Sequence, residues 1–386
     1  MPPPLAFSVR TKDLHASPIR EILSVLEKPG MISFAGGLPA ASTLPRLDLI
    51  PPADILQYGP TEGDMALRQA IAAELQQLGL DCQSEQVLIL SGSQQGIDLV
   101  AKLFVDAGTP VAVESPTYLA ALQVFRLFGA RFLPFNMQSE TNLSWVPDRP
   151  ALAYAIPTFQ NPTGHCYNME QRQQLAAACD QYQVPLFEDD PYRDLAYGQV
   201  ERTPVCALLK SAPWIYQGSF SKTLAPGLRL GFMAASPQLM PYLTRLKQAA
   251  DLHSNRLSQW LVLQHLQHPD KAGRINTLVS HYRQKRDQFA QCLKQYFSDI
   301  ATWNTPQGGL FFLLTLNAPL DTRRLLPIAI EQGVAFMPGE HFYPDSHDGI
   351  GTMRLNFSHA TEEEMQRGLE RLSQLIRNNI QHSSNT

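Results

Sequence analysis

Residues 86–128 read QVLILSGSQQGIDLVAKLFVDAGTPVAVESPTYLAALQVFRLF. A short apolar run at 86–90 gives way to a helix-period pattern through Gln94–Val105. A second run at 110–114, PVAVE, is followed by another helical pattern through Thr117–Phe128. The runs are near-continuously apolar rather than alternating, as expected of strands covered on both faces. Strand followed by helix, then strand and helix again, predicts a mainly parallel sheet with helices on both sides.

The same alternation continues downstream. ALAYAI (151–156) precedes a helical NMEQRQQLAAACDQY (168–182), and VPLFED (184–189), WIYQGSF (214–220) and LRLGFMAAS (228–236) are further strands. After about residue 250 the texture changes. A long polar helix over Ser254–Phe297 is expected, then strands at 308–316, 334–337 and 353–357 with helices at 321–332 and 361–377. The expected fold class is α/β: a three-layer α/β/α large domain with a mainly parallel sheet, plus a smaller α+β domain. The expected division is residues 1–45 as an N-terminal arm joining the small domain, 46–275 as the large domain, and 276–386 as the small C-terminal domain.

Composition narrows the function classes. Of 386 residues 44% are hydrophobic, enough for a sizeable core. Lys and Arg number 31 against 35 Asp and Glu, a net charge of −4. That balance argues against nucleic acid or an anionic membrane as partner. No apolar run approaches ~18–20 residues, so no membrane span is expected. The five cysteines are scattered without a CxxC spacing, which predicts neither a disulfide framework nor a metal site and fits a cytoplasmic protein.

In such sheets, ligands bind beyond the carboxyl ends of the strands. Ser91-Gly92-Ser93-Gln94-Gln95-Gly96 follows the first strand and opens a helix. It reads either as an anion cup or as a Ser-capped turn. Tyr118, in SPTY, could stack on a planar ligand or simply pack. Asn161, in QNPTG, sits in turn chemistry that could aim its amide at a ligand. Glu188-Asp189-Asp190 places three acids just past a buried strand, which is costly unless something cationic needs them; surface solvation would explain one or two. Lys222, in GSFSK, has apolar neighbours that would lower its pKa and make it a candidate Schiff-base former, or it is a plain loop lysine. Together these parts supply an amine, an anion cup, a stacking ring, a carboxylate and a polar donor, the set that pyridoxal phosphate requires.

The motifs also resemble a known family. SPIR (17–20), FAGGLP (34–39), QYGPTEGDMALRQAI (57–71), SGSQQGIDL (91–99), ESPTY (114–118), QNPTG (160–164), EDDPY (188–192), GSFSKTLAPGLRLG (218–231), PQGGLFF (306–312) and MRLNFS (353–358) are similar, in order and spacing, to fold-type I pyridoxal phosphate-dependent aminotransferases. Among these, the α-aminoadipate/kynurenine aminotransferase branch is the nearest in pattern. The resemblance spans residues 17 to 377.

It implies that Lys222 carries pyridoxal 5'-phosphate covalently and moves the substrate Cα proton. Asp189, three residues before Tyr192, would pair with the pyridine nitrogen, and Asn161 and Tyr192 would contact the ring phenolate. Ser93, Gln94, Ser219, Ser221 and Arg229 would bind the phosphate, and Tyr118 would stack on the ring. Arg354 would clamp the substrate α-carboxylate. Tyr58 would reach across a homodimer interface toward the partner's cofactor phosphate. Gly37 and Leu38, with Arg20, would lie on an arm closing over the substrate.

The implied reaction moves the amino group of an L-amino acid to a 2-oxo acid such as 2-oxoglutarate. The donor is left open among 2-aminoadipate, aromatic and branched-chain amino acids. Two other readings stay open at this point: a β-lyase or decarboxylase reaction on the same fold, and a non-catalytic domain like those of bacterial regulators.

Overall fold

The computed structural model describes residues 7–11, 30–45, 50–139 and 143–384. A seven-stranded sheet forms its centre. The first eight strands in chain order are β1 (Ile32–Ser33), β2 (Val87–Leu90), β3 (Pro110–Glu114), β4 (Arg131–Phe135), β5 (Leu152–Ala155), β6 (Leu186–Asp190), β7 (Trp214–Ser219) and β8 (Gly231–Ala235). The central order is β2-β8-β7-β6-β5-β3-β4, and β8 alone runs antiparallel to its neighbours. All other pairs are parallel, so β2, β3, β5, β6 and β7 end on one edge.

Side-chain parity splits the core into two layers. Val87, Ile89, Ala153, Leu186 and Tyr216 face one apolar layer, and Leu88, Leu90, Leu152, Tyr154, Phe187 and Ile215 face the other. Burial on both faces is why these strands read as unbroken apolar runs.

A second sheet, β12-β13-β10-β9, is antiparallel and comprises β9 (Ala301–Trp303), β10 (Phe311–Leu316), β12 (Met337–Pro338) and β13 (Thr352–Asn356). Helices Lys271–Phe297 and Glu362–Ser384 are its main helical partners. Ahead of β12 lies β11 (Val334–Ala335), which pairs parallel with β1. Residues 30–45 are thus stitched to the C-terminal part: Ala40 N–H also donates to the Tyr282 hydroxyl at 3.1 Å.

Three differences from the sequence reading have physical causes. The single helix expected over Ser254–Phe297 is two, Arg256–Leu266 and Lys271–Phe297. Pro269 lies in the break, and a proline disfavours helical backbone in the residue before it. Strand β4 lies outside the expected elements because it is an edge strand, largely solvent-facing and interrupted by Pro134. Helices Met65–Gln77 and Met240–Asp251 are further additions. In the first, buried positions recur at Leu67, Arg68, Ile71, Ala72 and Leu75, but Arg68 interrupts the apolar stripe.

Candidate active site

The shared edge of the central sheet gathers the chemistry. Beyond β2, Gly92 takes a φ of +84° and helix Ser93–Phe104 begins, its free N–H groups at the site. A Cβ on Gly92 would lie 2.5 Å from the Arg229 Nη2 atom, so only glycine lets the guanidinium approach this turn. Arg229 is exposed and has no carboxylate partner among the described residues. Ser219 and Ser221 complete the wall, with Ser221 N–H donating to Ser219 Oγ at 3.2 Å. Cationic and N–H donors without an acid form an anion site.

The acid cluster forms the last three residues of β6 itself, not a turn just past the strand as the sequence reading had it, because the ladder with β7 continues through Asp190. Glu188, Asp189 and Asp190 are 0%, 3% and 4% exposed, so the alternative in which solvent accommodates one or two of them is corrected. The strand is central and covered on both faces, and each acid instead has its own partners. Glu188 accepts from Cys206 N–H at 2.9 Å. Asp190 accepts from the Tyr216 hydroxyl at 2.8 Å and pairs with Arg193 at 3.1 Å. Asp189 accepts from the Tyr154 hydroxyl at 2.8 Å and from Gln217 Nε2 at 3.1 Å, both neutral donors. Burial pushes the Asp189 carboxyl up to about 6, although the two hydrogen bonds favour its ionised form. A cation beside it would reverse that shift.

Beyond β7, the Lys222 ammonium donates to Gly37 O at 2.8 Å. Burial, with Arg354 and Arg229 adding like charge, lowers its pKa to about 8. This leaves a small neutral, nucleophilic fraction of the amine at pH 7, roughly a tenth, far above that of an ordinary lysine.

Beyond β5, Asn161 Oδ1 accepts from Arg354 Nη1 at 2.8 Å, and the Asn161 amide lowers the pKa of the neighbouring Tyr192 hydroxyl against the upward push of burial. Arg354 Nη2 donates to Ala35 O at 2.6 Å. The guanidinium is 4% exposed and lies 4.1 Å from the Phe311 ring centre and 4.9 Å from that of Phe342. Its Nε has no hydrogen-bond partner among the described residues. Burial lowers its pKa to about 10. Tyr118, beyond β3, feels the charges of Asp189, Arg354 and Arg229, and burial raises its hydroxyl to about 12.

The donor set fits pyridoxal phosphate: a neutralisable amine, a carboxylate lacking a cation, and a helix-start turn beside an arginine that no carboxylate pairs among the described residues. Residues 52–372 match the family model for aminotransferase class I and II. The chain belongs to this family. Aromatic-amino-acid aminotransferase 1 of Thermococcus litoralis is 35% identical over 393 residues, covering 96% of this chain and 94% of that relative. The solved α-aminoadipate aminotransferase of Thermus thermophilus, complexed with N-(5'-phosphopyridoxyl)-L-leucine, is 33% identical with a TM-score of 0.85 over 96% of this chain and 97% of that one. The Pyrococcus horikoshii kynurenine aminotransferase structure gives 32% and 0.86, with 97% of each chain covered. This protein is a pyridoxal phosphate-dependent aminotransferase of fold type I.

The aminotransferase brings Lys222, Asp189, Tyr192, Asn161, Tyr118, Arg354 and Gly37 into one electrostatically coupled site. Ser93 and Gln94 open the helix after the turn, Arg229 approaches Gly92, and Ser219 lies on the neighbouring ladder opposite Gly231, while Leu38 O accepts from Ser358 Oγ at 2.6 Å. Tyr58 stands apart: it is 77% exposed and packs edge-on against His253 at 5.7 Å. Arg20 lies outside the described residues.

Three supporting residues escaped the sequence reading. Tyr154 and Gln217 hold Asp189, and Gly96 makes room for Gln217, whose Oε1 would lie 1.8 Å from a Cβ there. The available signal was a polar group inside a buried apolar strand, which always demands a partner. Among the described residues no helix is long and apolar enough to cross a membrane.

Proposed function

We propose that the aminotransferase takes the amino group from an L-amino acid with a large side chain, of the 2-aminoadipate, aromatic or branched-chain classes, and gives it to 2-oxoglutarate. The observation carrying this reading is Arg354, a buried guanidinium between two phenyl rings, near Lys222 and without a carboxylate partner among the described residues. A planar guanidinium suits bidentate pairing with an α-carboxylate.

When bound, pyridoxal phosphate supplies an electron sink for the pair left at Cα. Lys222 would hold it, and its Nζ would accept the Cα proton and return it. Asp189 would sit under the pyridine nitrogen, fixed in place by Tyr154 and Gln217. Asn161 and Tyr192 would hold the ring oxygen, with Asn161 also tethering Arg354. Tyr118 would cover the ring face. Ser93, Gln94, Ser219, Ser221 and Arg229 would anchor the phosphate. Gly37 and Leu38, with Arg20, would border the substrate.

The acting form in this reading is a cytoplasmic homodimer, each Tyr58 serving the partner's site. Support comes from the exposed apolar side chains near Tyr58 in sequence and around His253, which include Ile50, Leu56, Leu252 and Leu257, and from five unpaired cysteines. Residues 46–275 would form the large domain, and the arm with 276–386 the small one.

The test is a panel of amino donors against 2-oxoglutarate, reading oxo-acid formation and kcat/KM. Exchange of nitrogen with parallel-line, double-displacement kinetics and a preference for long side chains is expected. Release of ammonia or carbon dioxide in step with turnover would place the chain among lyases or decarboxylases instead.

A further inference from the structure

Away from the reacting atoms, the aminotransferase buries a lysine behind the anion turn and pairs it with an aspartate that reaches solvent. Lys247 is 0% exposed, in helix Met240–Asp251. Its ammonium donates to Asp251 Oδ1 at 2.8 Å and to Gln95 Oε1 at 2.9 Å. Asp251 Oδ2 accepts from Gln95 Nε2 at 2.8 Å and from Ser91 Oγ at 2.7 Å. Gln95 Oε1 also accepts from Ser91 N–H at 2.9 Å. Ser91 Oγ lies 3.1 Å from Ser254 Oγ, which bonds Ile89 O at 3.2 Å. Both the side chain and the backbone N–H of Ser91, the residue entering the Gly92–Ser93 turn, therefore end on one charged unit.

The pair contributes little net stability, because desolvating the lysine offsets its attraction to an aspartate that water still reaches. What it fixes is geometry: Gln95, held by Lys247 and Asp251, occupies the Ser91 N–H, and Asp251 occupies the Ser91 hydroxyl. The turn it fixes is the one in which Gly92 must let Arg229 come close and Ser93 N–H must point outward.

We propose that Lys247 and Asp251 are positioning residues for the cofactor phosphate, acting through Gln95 and Ser91 on the turn Ser91–Ser93. This rests on the reading that the turn takes that phosphate. Neither residue touches the cofactor in this account. They hold the N–H groups and the Arg229 approach in register, so their removal weakens phosphate recognition selectively.

The experiment titrates cofactor-free protein with pyridoxal phosphate and, separately, with pyridoxal, following absorbance. The Lys247→Met/Asp251→Asn double variant keeps the volumes and removes both charges. It is expected to weaken pyridoxal phosphate binding about tenfold or more, the scale of lost charge-assisted hydrogen bonds. Pyridoxal binding should change by less than about twofold, a small fraction of one hydrogen bond. The control is Lys102→Met/Asp98→Asn, an ion pair of the same spacing further along helix Ser93–Phe104, which should alter neither. Gln95→Met and Ser91→Ala, which leave the pair intact, should show the same selective loss in smaller measure and serve if the double variant fails to fold.

Equal weakening of both ligands, or an unchanged preference for the phosphorylated one, would overturn the proposal while leaving the phosphate reading standing. A wild-type protein that binds the two ligands equally would instead remove the phosphate reading itself, and the proposal with it.

Discussion

The two ends of the proposed cofactor site, the ring end and the phosphate end, are built differently. The ring end is finished within one chain: Asp189, Tyr154 and Gln217 are nearly inaccessible, and the carboxylate is held by the other two. The phosphate end is open. Arg229 is exposed and donates to Pro226 O at 3.3 Å, and in the proposed dimer the rim would be completed by the partner's Tyr58, which is 77% exposed in this chain. A closed pocket sets protonation through burial, whereas an open rim keeps cations free for a ligand and apolar surface free for a second copy.

The largest test of this contrast is Lys222→Ala. Losing the amine at the ring end should reduce transamination by roughly 10⁴-fold or more. Absorbance of the bound cofactor should shift at the same time, because covalent attachment is lost. Normal turnover in that variant would refute the ring-end assignment.

Next is the pH dependence of Asp189. In cofactor-free protein its folded pKa of about 6 exceeds the ordinary 3.8. Between those values the unfolded chain ionises this group and the fold does not. Its contribution therefore turns against folding as pH rises through that window, reaching on the order of 3 kcal/mol above about pH 6. Asp189→Asn should accordingly gain stability relative to wild type as pH rises from about 4 to about 7 when the cofactor is absent. With cofactor bound the ranking should invert, since the carboxylate then has a cation. Thermal melts at both pH values, with and without cofactor, read the four cases.

Arg354→Lys should lower kcat/KM for amino acids by about 10²-fold, because an ammonium cannot make the bidentate contact or fill the space between Phe311 and Phe342. The effect should fall mainly on KM. Amines lacking a carboxylate should lose far less.

The smallest effect belongs to the open rim. Tyr58→Ala should weaken cofactor binding by only about three- to tenfold, the worth of one hydrogen bond. The loss should shrink as protein concentration rises, if the ring serves a partner's site. Cofactor affinity independent of protein concentration in both proteins would break the comparison.

Much of the site was legible in the sequence because its parts lie at strand ends, where turn chemistry and helix starts are local signals. NPTG, SGSQQ and the lysine of GSFSK each announce themselves this way. The capping of helix Met169–Tyr182 was equally local: Asn168 Oδ1 accepts from Gln171 N–H at 2.9 Å, and the Gln171 side chain returns to Asn168 N–H at 3.0 Å. Other parts were not legible. Tyr154 and Gln217 meet Asp189 from strands 35 and 28 residues away from it in sequence. The Lys247–Asp251 pair reads from sequence as an ordinary i,i+4 surface pair, and only packing against helix Ser93–Phe104 buries the lysine.

By itself, then, the sequence determined the alternation of strands and helices, the order of the reactive groups and the family, since all of these depend on local periodicity and spacing. Tertiary structure decided which charges are desolvated. It left none of the three consecutive acids to solvent, gave only neutral hydrogen-bond donors to Asp189, and set Arg354 between two rings from distant parts of the chain. Desolvation depends on everything that surrounds a group, and no run of neighbours along the chain contains that information.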